Sequence, residues 1–364
     1  MKKKIIYPVL VILLIGITFI WLRSGGSETI YKKKSMEKEV PSSYTPEILW
    51  PTTKEDQKVA GEASGVAIDS HGNIYYLHRG KSTYGGNTLI KENTVIVIDG
   101  ETHSVKKRWG KNIFKSPHGL EIDLHDNIWI TDITLNKVYK FSSNGTLLKT
   151  FGSDYPFYME GALRVRNELP HFPTGMDEYT FARPTDLTVY DDGSFVVSDG
   201  YRNHRIVKFN KDGKFMWERN ELGNGPEAFN LPHGISHDKQ GNLYVADRNN
   251  ARIQVLNKNG DYITSWRQKE IGRPFGVEVG DDEKVYVVDG GNSLYPEHGK
   301  GSNQVIVLNK KGVILNRFGK WGVGKGQLEV PHDIAVDKEG NIFVAELRNE
   351  RLQEFKVMKQ IKER

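Results

Sequence analysis

From about residue 60 onward the chain alternates short apolar runs with polar turns rich in Asp, Asn and Gly, and no long window repeats its apolar residues at helical spacing. The clearest unit is the stretch LPHGISHDKQGNLYVADRNNARIQVL, from Leu231 to Leu256. It reads as a Pro-X-Gly lead-in, a short strand, a turn at Asp238 to Gly241, a second strand from Leu243 to Ala246, a loop, and a third strand from Arg252. The frame returns six times, led by Ala63, Pro117, Pro184, Pro232, Pro274 and Pro331. Multi-strand repeats about 40 to 50 residues long mark a β-propeller, so the pattern predicts an all-β, six-bladed ring. Outer fourth strands are expected at Phe215 to Glu218, Ile263 to Arg267 and Ile314 to Gly319, and a strand around Glu47 to Trp50 is expected to complete the last blade. Insertions interrupt the frame at Lys81 to Asn93, Ser153 to Phe181 and Gly290 to Ser302. The second is long enough to be a lid over one face or a surface excursion.

The opening segment follows a different pattern. Residues 5–22 are an uncharged apolar run behind Lys2, Lys3 and Lys4, long enough to cross a bilayer. The leading lysines predict a single N-terminal transmembrane helix with a cytoplasmic basic tail at 1–4, a polar linker at 23–43, an extracytoplasmic propeller at 44–358 and a charged tail at 359–364. A cleaved signal peptide, which would leave the propeller secreted, is the rival reading. The chain has no Cys, so no disulfide framework supports an exported domain.

Charge sharpens this division. Residues 1–40 hold eight Lys/Arg against three Asp/Glu, leaving 43 of each in the remainder. The propeller is therefore neutral and lacks the basic footprint of a nucleic-acid binder. A small-molecule or peptide substrate, a protein partner, and the membrane through the N-terminal helix are the expected partners.

The position after each leading residue reads Ser64, His118, Thr185, His233, Phe275, His332 through the six copies. Histidine falls in alternate blades, about 120° apart around a six-fold axis, and inner strands line the channel. Three imidazoles would thus converge on one point and leave a ligand position open, the pattern of a catalytic zinc. Imidazole suits several transition metals, with zinc preferred. Just after the second strands stand Arg79, Tyr201 and Arg248, on the same face. Guanidinium groups there could fork onto a carboxylate, and a phenol beside a cation could serve as a base.

These residues carry a resemblance. The copies look like NHL repeats, and Leu77-His78-Arg79-Gly80, Pro117-His118-Gly119-Leu120, Ser198-Asp199-Gly200-Tyr201, Pro232-His233-Gly234, Ala246-Asp247-Arg248 and Pro331-His332-Asp333-Ile334 resemble the peptidyl-α-hydroxyglycine α-amidating lyase family. The resemblance spans about residues 60 to 356. It implies a lyase that splits a peptidyl-α-hydroxyglycine into an amide and glyoxylate, with zinc on His118, His233 and His332 and with Arg79, Tyr201 and Arg248 as active-site residues. It also implies a structural calcium held by Asp333 with the backbone carbonyls of Val66 and Leu120. Val330 stands where the animal enzymes have methionine, their cysteines are absent, and the sequence carries no monooxygenase portion to make the hydroxylated substrate. A different carbinolamide-like substrate is therefore also expected. The other functional class is a non-catalytic NHL propeller that binds a peptide, glycan or protein at the cell surface. A lactonase-type hydrolase would instead want carboxylate and amide ligands around the axis.

Overall fold

The computed structural model describes residues 38–41, 43–169, 172–292 and 302–358. The expected membrane segment at 5–22, its basic tail, most of the linker, the C-terminal tail and most of the Gly290 to Ser302 insertion lie outside the described residues. Within them, no helix is long and apolar enough to cross a membrane.

Six four-stranded antiparallel sheets stand around an axis. Their inner strands are Ala63–Ile68, Pro117–Ile122, Asp186–Val189, Pro232–His237, Pro274–Val279 and Pro331–Val336. Each blade then runs outward in chain order, apart from the last, whose outermost strand is Tyr44–Trp50. That strand pairs antiparallel with Arg351–Val357, so the two ends of the ring close one sheet. The predicted outer strands appear as Phe215–Arg219, Tyr262–Trp266 and Ile314–Phe318.

Second strands such as Leu243–Asp247 and Val285–Asp289 are buried along their whole length because sheets press on them from both sides. Apolar clusters accordingly span neighbouring blades: Tyr244 and Ile253 of blade four pack with Val277, Val285 and Ile306 of blade five. The turns that join first and second strands are held by an aspartate. In blade four Asp238 accepts the Gln240 and Asn242 N–H groups, and Gly241 takes φ 83°, a conformation that disfavours any side chain.

Two devices fix the leading residue of each histidine-bearing inner strand. The first is a bulge. In blade two Pro117 lies opposite Asp132 but Leu120 opposite Ile130, and blades four and six skip the ladder at the same place. One extra residue there turns the histidine out of the ladder toward the channel. The second is the acid that ends the second strand. Asp132 accepts the N–H groups of Lys115 and Ser116, Asp247 that of Asn230, and Glu346 that of Glu329, each within three residues of a histidine. Arg252 pairs with Asp247 at 2.6 Å and Arg351 with Glu346 at 2.5 Å, compensating buried carboxylates.

The Ser153 to Phe181 insertion holds a helix, Met159–Glu168, where no helix was expected from the sequence. It is only half-buried and is tied down by charge: Glu160 accepts from Arg202 at 2.5 Å and from Arg183 at 3.0 Å.

Candidate functional site

His118, His233 and His332 meet on the axis, all buried, with their ligating nitrogens within 4.8 Å of one another. Ring centroids are 4.5 to 4.9 Å apart. Each ring is oriented by the next blade in the circle. His118 Nδ1 lies 2.7 Å from the Thr185 carbonyl, His233 Nδ1 2.9 Å from that of Phe275, and His332 Nδ1 2.9 Å from that of Ser64. A carbonyl only accepts, so each Nδ1 carries the proton. The blades that lack a histidine thus supply the backbone oxygen that sets its tautomer.

All three imidazoles are held neutral. Burial, and then the charge of one another and of Arg79 and Arg248, pushes the pKa of His118 and His233 well below the ordinary value and that of His332 down to about 3. A neutral ring protonated at Nδ1 has a bare Nε2. Yet His332 Nε2 stands 3.2 Å from His118 Nε2, and one hydroxyl, that of Tyr201, lies 2.9 Å from His118 Nε2 and 3.1 Å from His233 Nε2. Two lone pairs therefore share one phenolic proton, and the third faces another lone pair. Electron-rich donors crowded this way fit a divalent transition-metal ion, and a set of three imidazoles suits zinc.

Arg79 and Arg248 flank the cluster together with Tyr201. Arg79 is 1 % exposed, donating Nη1–H to Glu62 at 2.9 Å and Nε–H to the Pro117 carbonyl at 3.2 Å. Its Nη2 is buried with no hydrogen-bond partner among the described residues. Arg248 lies in a short 3-10 turn with its guanidinium 5.8 Å from the Tyr201 ring and 4.8 Å from that of Phe275. Tyr84, which sequence reasoning missed, packs edge-on to Tyr201 at 5.0 Å from the Lys81 to Asn93 insertion. Polar content hid it, since nothing in an irregular loop fixes which residue turns inward.

Further along the channel, Asp333 accepts the Val66 N–H at 2.9 Å, and both residues line a cavity of about 130 Å³ with Leu120. The Val66 contact is thus made by its N–H. Glu121, Asp186 and Glu278 line the same cavity. All four carboxyl groups are held above their usual range by desolvation, and Glu121, Asp186 and Glu278 also by neighbouring acids. Glu121, Asp186 and Glu278 were missed, although the sequence offered a signal: Asp186, like the expected Asp333, follows the histidine column by one position, Glu121 and Glu278 by three. Close packing accompanies them, since a Cβ on Gly276 would meet Asp333 Cα at 2.9 Å.

Among the described residues, the other histidines stay outside the cluster. His71 is exposed, His237 contacts Thr188 Oγ1 at 2.7 Å, and His204 is buried.

The NHL repeat family model matches residues 181–209 and 229–256. Peptidyl-alpha-hydroxyglycine alpha-amidating lyase 2 of Drosophila melanogaster is 30% identical over 322 residues, which cover 82% of this chain and 71% of that protein. Peptidyl-glycine alpha-amidating monooxygenase B of Xenopus laevis is 32% identical over 309 residues, 79% of this chain but 33% of that protein, so the chain spans about a third of its length. Among solved structures, a streptogramin B lyase matches with TM-score 0.57 and 16% identity over 86% of this chain and 98% of that one, a likeness of fold.

Proposed function

The chain belongs to the peptidyl-α-hydroxyglycine α-amidating lyase family, and from that membership together with the three-histidine cluster we propose that it is a metal-dependent lyase splitting a peptidyl-α-hydroxyglycine, or a related carbinolamide, into an amide and glyoxylate. The observation that carries the reading is the convergence of three bare Nε2 atoms beside one phenol. His118, His233 and His332 would hold the ion, zinc by preference. When bound, such an ion supplies Lewis acidity, which makes a hydroxyl group beside it more acidic.

The chain's own residues do the rest. Tyr201 takes the proton of the substrate hydroxyl, and Arg248, over its ring, provides the positive charge that a phenolate needs nearby. As that oxygen forms the carbonyl of glyoxylate, the carbon–nitrogen bond breaks with its electron pair on nitrogen, which takes up a proton to give the amide. Arg79, fixed by Glu62 and carrying a free buried N–H, receives the substrate carboxylate through Nη2. Tyr84 walls off one side. Calcium in the channel, held by Asp333 with the carbonyls of Val66 and Leu120, is part of the same reading, and desolvated carboxyl groups around that cavity support a cation there. So is an extracytoplasmic propeller anchored by residues 5–22, on the strength of their apolar run behind three lysines.

Metal analysis of the purified full chain, combined with glyoxylate release from a model peptidyl-hydroxyglycine, tests the proposal. About one zinc in the cluster and glyoxylate production are expected, with both lost in His233→Ala. A His233→Ala protein with full turnover would move the chemistry elsewhere, and metal without glyoxylate would favour the binding propeller.

A further inference from the structure

At the outer rim, where Tyr44–Trp50 meets Arg351–Val357, two carboxylates face one another. Glu47 and Glu354 are direct cross-strand partners, and like charges so placed oppose pairing. The turn joining two strands of blade one brings His103 onto this pair, its Nδ1 3.7 Å from Glu47 Oε2 and its Nε2 3.5 Å from Glu354 Oε2. That turn is tightly built: the His103 N–H donates to the Asp99 carbonyl, and Asp99 Oδ1 accepts from the N–H groups of Glu101 and Thr102.

The pairing is incomplete as it stands. Glu354 Oε2 and His103 Nε2 are both buried without a hydrogen-bond partner among the described residues, and the Glu354 side chain is 2 % exposed. Both separations exceed hydrogen-bonding reach, which ends near ~3.2 Å. An imidazole binds a metal through one nitrogen, and the unpartnered Nε2, 3.5 Å from Glu354 Oε2, is close to the edge of a coordination tetrahedron, where ligands about 2.0–2.2 Å from a shared zinc sit roughly 3.3–3.6 Å apart. All three ligand atoms fall within 4.8 Å of one another.

We propose that Glu47, His103 and Glu354 form a second divalent transition-metal site, separate from the three-histidine cluster, which staples the first and last blades. One imidazole and two carboxylates suit Zn²⁺, and the half-exposed side chain of Glu47 lets water complete the set. The ion would offset the repulsion between Glu47 and Glu354 and tie together the strands that start and finish the ring. In a chain without cysteine it takes the place of a disulfide.

The test uses the full chain, stripped by chelator, reloaded with Zn²⁺, and followed by metal analysis and thermal unfolding. His103→Ala is expected to bind one zinc fewer than its parent, both in the wild-type chain and in a His233→Ala/His332→Ala background that disables the axial cluster. In that background Zn²⁺ should raise Tm by several degrees. Glu47→Gln, a change at a half-exposed side chain, should weaken rim binding at least tenfold if His103→Ala fails to fold. Equal zinc content with and without His103, or a Tm indifferent to Zn²⁺ in that background, would leave only direct contacts between His103 and the two acids and overturn the staple. These readouts are independent of glyoxylate release, so loss of the lyase reading would not remove this one.

Discussion

The histidine column shows how a single side chain is aimed by elements other than its own. His233 is turned out of its ladder by a bulge, held in one tautomer by the Phe275 carbonyl, and placed beside the Tyr201 hydroxyl. Tyr201→Phe removes only that oxygen, so it should keep the metal while lowering kcat by about 10²- to 10⁴-fold, the usual worth of a positioned acid or base. Parallel metal analysis and turnover would check this, and unchanged kcat would exclude Tyr201 as the base. The histidines were legible because identical frames let Pro117-His118-Gly119 be laid over Pro232-His233-Gly234 and Pro331-His332-Asp333. Their Nδ1 partners were not, because those are backbone oxygens of other blades and carry no residue identity. His103 was hidden for a related reason: it sits in a blade-one turn, while its acids belong to strands from both ends of the ring.

At the scale of the element, the acid ending the second strand of each histidine-bearing blade links fold to site. Asp247 accepts from Asn230 N–H at 2.8 Å, Asn250 Nδ2 at 2.7 Å and Arg252 Nε at 2.6 Å, and it is fully buried. Asp247→Ala would leave Arg252 charged and buried without its partner, a loss of about 3–5 kcal/mol in unfolding free energy. It would also free the segment before His233, so zinc affinity should fall with stability. Urea unfolding and zinc titration of one preparation would measure both, and a stable variant with weak zinc binding would show that the carboxylate positions the segment without bearing on stability. Blade frame and outer strands could be read from alternation and turn chemistry. The helix Met159–Glu168 could not, because it has no strong apolar stripe and is held by Glu160 against Arg183 and Arg202.

For the whole ring, the channel carboxyls set how stability answers to pH. Desolvation raises the folded-state pKa of Glu121, Asp186, Glu278 and Asp333 above the unfolded value, so their contribution is present at low pH and lost as pH rises through the folded values. Between pH ~7.5 and ~8.5, a unit or more above the histidine reference value, unfolded histidines are largely neutral and unfolded carboxylates ionised, so calcium-free protein should lose stability as pH rises. Asp333→Asn should flatten that slope, and Ca²⁺ should stabilise wild-type more at pH 8 than at pH 6. Denaturation midpoints across this range decide the matter, and a flat wild-type profile would remove the channel acids from the account. The manner of closure also governs how the molecule is born. Residues 313 apart, Thr45 and Met358, become neighbours only when the sixth sheet forms. On the ribosome, Tyr44–Trp50 must wait unpaired until Arg351–Val357 is made, so the nascent chain holds an open edge while the blades between them are synthesised and the circle is joined in one late step.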